Sequence, residues 1–220
     1  MENGPDMILE MEQINRELYE ANFRIRRGND MAGTVHVQGR PGQMDVEVQF
    51  SVLGAGFFLS REGNPAAPVQ TKRRQDKKET AYRTYLIDGG RRGSICQVER
   101  KTGMFSMAGY HEMLLENDVF QMYSKSFKTE GKSSIYCGDR QIAQVDTSAE
   151  IVDDMHHYTI YAADVRGAEA AVLFSVYQYI LTGFKPGQKM TKGYHKQVSI
   201  SFDRTFDDRY DPGFAGRIEP

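Results

Sequence analysis

Tryptophan is absent from this chain, cysteine occurs twice and proline seven times in 220 residues. Two cysteines, Cys96 and Cys137, are too few for a disulfide framework, so a packed core must hold the fold and a reducing, cytoplasmic setting is expected. An excess of charge of one sign is missing too. The 28 Lys and Arg against 30 Asp and Glu leave a net charge of −2, without the basic excess of a nucleic-acid-binding surface, and no nucleic acid is expected as partner. The opening MENGPDMILEMEQ has acidic residues and no long apolar run, which argues against a secretory signal. The longest apolar stretch, Ala168 to Leu181, is interrupted by Glu169, Ser175 and Gln178. It falls short of the about 20 residues that span a bilayer, so no transmembrane span is expected.

What is present is enough apolar material for a core, 40% of the chain, and one segment that organises it. GAEAAVLFSVYQYILTGF, residues 167–184, is apolar on nearly every face when read as a helix. Such a helix belongs inside a core. Pro186 follows and stops it.

Before that helix the apolar residues alternate. Phe23 and Ile25, Thr34 to Val37, Met44 to Val52, Gly56 to Glu62, Tyr82 to Ile87, Ser94 to Glu99, Gly109 to Leu115, Val119 to Tyr123, Ser133 to Cys137, Ile142 to Asp146 and Tyr158 to Ala162 read as about eleven short strands. Turn residues separate them at the spacing of a barrel or sandwich. Three segments share one form: NFRIRRGNDMAGTVHV, TYLIDGGRRGSICQV and SSIYCGDRQIAQVDT. Each is an alternating strand, a Gly-Asn or Gly-Asp type turn, a small residue, then a β-branched residue two positions on. Gly33 and Val35, Gly93 and Ile95, and Ala143 and Val145 hold those places. Three repeated hairpins suggest a sheet curled shut, which removes exposed edges.

The first 20 residues are expected to form a helical or loose segment. Ile8, Met11, Ile14 and Leu18 recur at helical spacing, Asp6 can cap, and the glutamates weigh against the alternative of a first strand. Residues 63–80 hold two prolines and a charge run and read as an exposed loop. Residues 185–220 read as a polar extension, with Gln197 to Phe202 as one possible extra strand.

The units YLIDGGRRGSICQV and IYCGDRQIAQV, followed by HHYTIYAADVRGAEAAVLFSVYQYIL, resemble the tubby C-terminal-like superfamily, and within it the LURP-one-related and bacterial tubby-like branch, with phospholipid scramblases as cousins. The order of the parts carries the resemblance over roughly residues 20–184, and no single motif does. It implies a mainly β fold: a closed antiparallel barrel of about twelve strands, residues 21–184, around a central hydrophobic helix at about 167–184. It implies phosphoinositide or membrane association for some relatives and no known activity for most members of the nearest branch.

Chemistry-bearing motifs are sparse. The GAG at Gly54–Gly56 lacks the third glycine and the following helix of a dinucleotide loop. His156 and His157 are adjacent, so in a strand they point to opposite faces and do not converge on a metal. Cys96 and Cys137 read as small buried residues, and His36 and His111 have no serine or cysteine partner at a recognisable spacing. No acidic loop of EF-hand type is present. The expectation is therefore no catalytic residues, no metal and no cofactor. Lys72, Arg73, Arg74, Lys77 and Lys78 form the one candidate site, a basic loop for an anionic lipid surface. The leading reading is a non-enzymatic binding or scaffold domain for anionic lipid or a protein partner. The alternative is a small-molecule carrier or enzyme that uses the barrel interior.

Overall fold

The structure, a computed structural model, describes residues 7–42, 46–61, 79–101, 107–126, 130–148, 150–196 and 206–218. Eleven consecutive strands run as an antiparallel meander: β1 (Met7–Arg16), β2 (Glu20–Arg27), β3 (Asp30–Gly39), β4 (Val46–Val52), β5 (Ala55–Arg61), β6 (Glu79–Ile87), β7 (Gly93–Lys101), β8 (Met107–Leu115), β9 (Asp118–Ser126), β10 (Glu130–Cys137) and β11 (Arg140–Ser148). A short β12 (Glu150–Val152) leaves the barrel, and β13 (His157–Ala162) returns to sit between β11 and β1. Met7 then pairs with Ala162 and Met11 with Tyr158, which closes a twelve-stranded barrel. Closure leaves no free barrel edge to template aggregation.

The helix expected within residues 1–20 is corrected by this closure. Residues 7–16 form a strand and not a helix. Met7, Leu9, Met11 and Gln13 are buried while the residues between them face outward. That period of two outweighs the helical spacing, which relies on Ile14 and Leu18, both exposed. Glu10 and Glu12 are compatible with a strand because they lie on the outer face, Glu12 accepting from Arg24 at 2.7 Å.

The helix α1 (Val165–Thr182) runs through the barrel. Asp164 caps it by accepting from the Gly167 backbone N–H at 2.7 Å. Residues from Ala170 to Tyr177 are all essentially inaccessible, whichever face they occupy. Tyr179 lies edge-on to Phe23 of β2, with centroids 4.8 Å apart, while Tyr177 reaches β6 and β8 on the other side. The inward rows of the barrel and the helix form one cluster that contains Phe23, Leu59, Ile87, Phe120, Ile160 and Phe174.

The three similar segments are the hairpins β2–β3, β6–β7 and β10–β11. They stand four strands apart around the barrel, and each carries a register shift. Such bulges bend and twist a strand, which helps a sheet to close. Gly33 and Gly93 are required there for space: a Cβ would stand 2.0 Å from the Ser51 carbonyl oxygen and 1.9 Å from that of Leu114.

The C-terminal extension folds back on the outside. β14 (Tyr194–Lys196) pairs with β12. Phe206 packs on an outer cluster of Cys96, Val98, Tyr110, Tyr123 and Tyr136. The possible strand at 197–202 lies outside the described residues. Among the described residues no helix is long and apolar enough to cross a membrane.

Candidate functional site: a polar cavity in the barrel mouth

Along β8, β9, β10 and β11 the inward rows begin apolar and end polar, all at the same end of the barrel. Leu115 and Met113 give way to His111, and Phe120 and Met122 to Ser124. Ile135 gives way to Ser133, and Ala143 and Val145 to Thr147. The register aligns these steps, since Ser133 pairs with Ser124 on one side and Val145 on the other. The helix matches them, presenting Gln178 and Thr182, four residues apart, on the same side. Between wall and helix lies a partly open cavity of about 340 Å³. Its far wall is formed by Tyr158 and His156, whose rings stack with centroids 6.3 Å apart and planes at 15°.

His111 is the unusual member. Its ring lies edge-on to Tyr177, 5.6 Å between centroids, and its Nδ1 is sealed from solvent with no hydrogen-bond partner. Burial lowers its pKa from the usual 6.5 to about 4, so the ring is neutral near pH 7. A buried N–H without an acceptor is rarer than a buried lone pair, which assigns the proton to Nε2 and makes that nitrogen the donor a cavity occupant would meet. Ser124 and Ser133 bond to each other at 2.9 Å. Thr147 donates to the Gly131 carbonyl at 3.2 Å. The Ser124–Ser133 bond uses one of the two hydroxyl protons and leaves the other, with several lone pairs, for an occupant.

No family model, no curated protein and no solved structure matches the chain. The cavity itself is therefore the functional observation.

The residues singled out from the sequence are dispersed. Lys72, Arg73, Arg74, Lys77 and Lys78 lie in 62–78, outside the described residues. His156 and His157 diverge: the first faces the cavity, and the second pairs with Glu10 at 2.7 Å. Among the described residues no group of three His, Cys, Asp or Glu side chains is placed to hold a metal. Cys96 is buried in the outer cluster, and burial pushes the half-buried Cys137 thiol up from its usual pKa. His36 bonds Asn22 through Nδ1 at 2.7 Å on the barrel exterior. A larger, shallower depression beside Leu18 and Gln38 has Arg16 in its wall, but that guanidinium is committed to Asp154 at 3.5 Å and to the Phe184 ring.

Sequence reasoning passed over Ser124, Ser133, Thr147 and Gln178, although a signal existed. In each of four strands a polar residue stands where the alternation calls for an apolar one. Only the register shows that the four exceptions share one end.

Proposed function

We propose that this chain is a non-enzymatic binding domain whose ligand is a small molecule held in the barrel mouth. The observation that carries this reading is the cavity of about 340 Å³ where four inward strand rows turn polar together, His111 among them. A protein interior leaves polar groups unpaired at a cost, and a cavity of this size falls in the range of small-molecule sites. The reading joins a binding role to a site in the barrel interior. A cytoplasmic location is part of the proposal and rests on the scarcity of cysteine, with Cys96 and Cys137 the only two in the sequence.

We also propose kinship with the tubby C-terminal-like superfamily, on the LURP-one-related branch. A twelve-stranded closed barrel around one hydrophobic helix supports it. The anionic-lipid role of Lys72 to Lys78 gains no support from the described residues.

The test is a ligand-observed NMR screen of a general small-molecule library against the full chain and against Ser133→Leu, which fills the cavity from β10. Hits that bind the wild type and vanish in a folded Ser133→Leu variant support the reading. Hits that survive the substitution, or no hits, overturn it.

A further inference from the structure

We infer that the occupant of the barrel mouth is a small, flat, uncharged molecule bearing a carbonyl-type acceptor. The inference rests on the barrel-mouth reading above and names its ligand class.

Charge is the first argument. The two lysines at the cavity rim, Lys125 and Lys132, stand at outward positions of β9 and β10, in the rows of Tyr123 and Tyr136. Lys125 meets Asp207 at 2.9 Å. Lys132 meets Glu130 at 3.3 Å and Asp146 at 3.4 Å. His157 is paired with Glu10, and the Glu150 carboxylate accepts from the Tyr194 hydroxyl. Lys125 and Lys132 are thus matched by carboxylates, and the inward-facing His111, Ser124, Ser133, Thr147 and Gln178 bear no charge near neutral pH. A carboxylate or ammonium entering among them would lose its hydration without gaining a counter-charge from these groups. An uncharged polar molecule escapes most of that loss.

The second argument is the set of groups facing inward. His111 offers one N–H at Nε2, and Gln178 has a carboxamide with both donor and acceptor. The Ser124–Ser133 pair and the Thr147 hydroxyl, its proton already given to Gly131, leave oxygen lone pairs free. A carbonyl accepting from His111, next to an N–H donating to a hydroxyl oxygen, satisfies this arrangement. Primary amides and lactam-like heterocycles have that pattern. Shape is the third argument. The stacked Tyr158 and His156 rings give the cavity a flat aromatic wall, and 340 Å³ holds on the order of ten waters at about 30 Å³ each.

Three probes of one shape and different charge test this: benzamide, benzoate and benzamidine, each titrated into the full chain at neutral pH while backbone amide shifts are recorded. Benzamide is expected to move the resonances of His111, Gln178 and Thr147, with an affinity at least about tenfold above the other two. His111→Phe, which keeps the ring and removes the donor, should weaken benzamide by about tenfold or more. Should benzoate or benzamidine bind more tightly at the same resonances, the ligand class is overturned while the barrel-mouth site stands. Should none of the three move those resonances at millimolar concentration, the class is overturned as well, and the site is then judged by the library screen.

Discussion

Tyr177, on the buried helix, donates its hydroxyl proton to the backbone carbonyl of Arg83 at 2.7 Å. Arg83 sits in the β6 bulge, at φ 53°, where the pairing with β7 shifts between Tyr82 and Tyr85. A bulge frees a carbonyl from the ladder, and the helix supplies its donor. The bond therefore pins the helix to the barrel wall at a point where the wall cannot satisfy itself.

Tyr177→Phe should destabilise the chain by about 1 kcal/mol, because the part-buried Arg83 carbonyl loses its donor. The exposed side chain of Arg83 is not what matters. Arg83→Gly, which accepts the positive φ freely, should match wild type or exceed it in stability. Urea unfolding of the two variants separates these outcomes, and equal losses would refute the assignment.

Phe174 is fully buried between helix and barrel. Phe174→Ala should cost about 3–5 kcal/mol. A loss below about 1 kcal/mol in chemical denaturation would place the helix at the periphery.

Gly93→Ala should be severe. The residue has φ +137°, and its Cβ would meet the Leu114 carbonyl oxygen at 1.9 Å. Relief would require β7 and β8 to part, so a loss of about 3 kcal/mol or more is expected. Gly56→Ala is the control, with nothing within 4 Å of its added Cβ, and should stay within about 0.5 kcal/mol. Thermal melts of the pair provide the comparison.

Stability should fall in mild acid through His111. Its folded pKa is about 4 and burial is the cause, whereas an unfolded histidine titrates near the ordinary 6.5. Between those values the unfolded chain holds a proton that the folded chain does not. The contribution is therefore intact above about pH 6.5 and is lost as pH falls towards 4, by at most about 3 kcal/mol. The residues beside it, Gln97 of β7, Met122 of β9 and Tyr177 of α1, bear no charge near neutral pH that would offset this. The difference in stability between wild type and His111→Phe, followed from pH 7 to pH 4, should narrow or reverse in favour of the variant. A constant difference would count against a neutral buried ring.

Much of this architecture is legible in the residue pattern. Alternation in Val48–Phe50–Val52 or Tyr158–Ile160–Ala162 dictates strands with one buried face, because side chains in a strand point alternately to two sides. The all-round apolar helix could be stable only inside something, and a chain of hairpins was the available enclosure. The small residues at 33, 93 and 143 mark the three bulged hairpins. Two things were decided only in three dimensions. Met7–Arg16 carries apolar residues compatible with either period, and the choice fell to the strand because β13 needed a partner to close the barrel. The cavity needed the register. His111, Ser124, Ser133 and Thr147 are isolated polar residues along the chain, 9 to 14 positions apart, and a local pattern cannot tell a strand end inside a barrel from one in solvent. Hydrogen-bonded pairing between strands brings them to one end, and burial of the helix against that wall turns four unremarkable residues into a site.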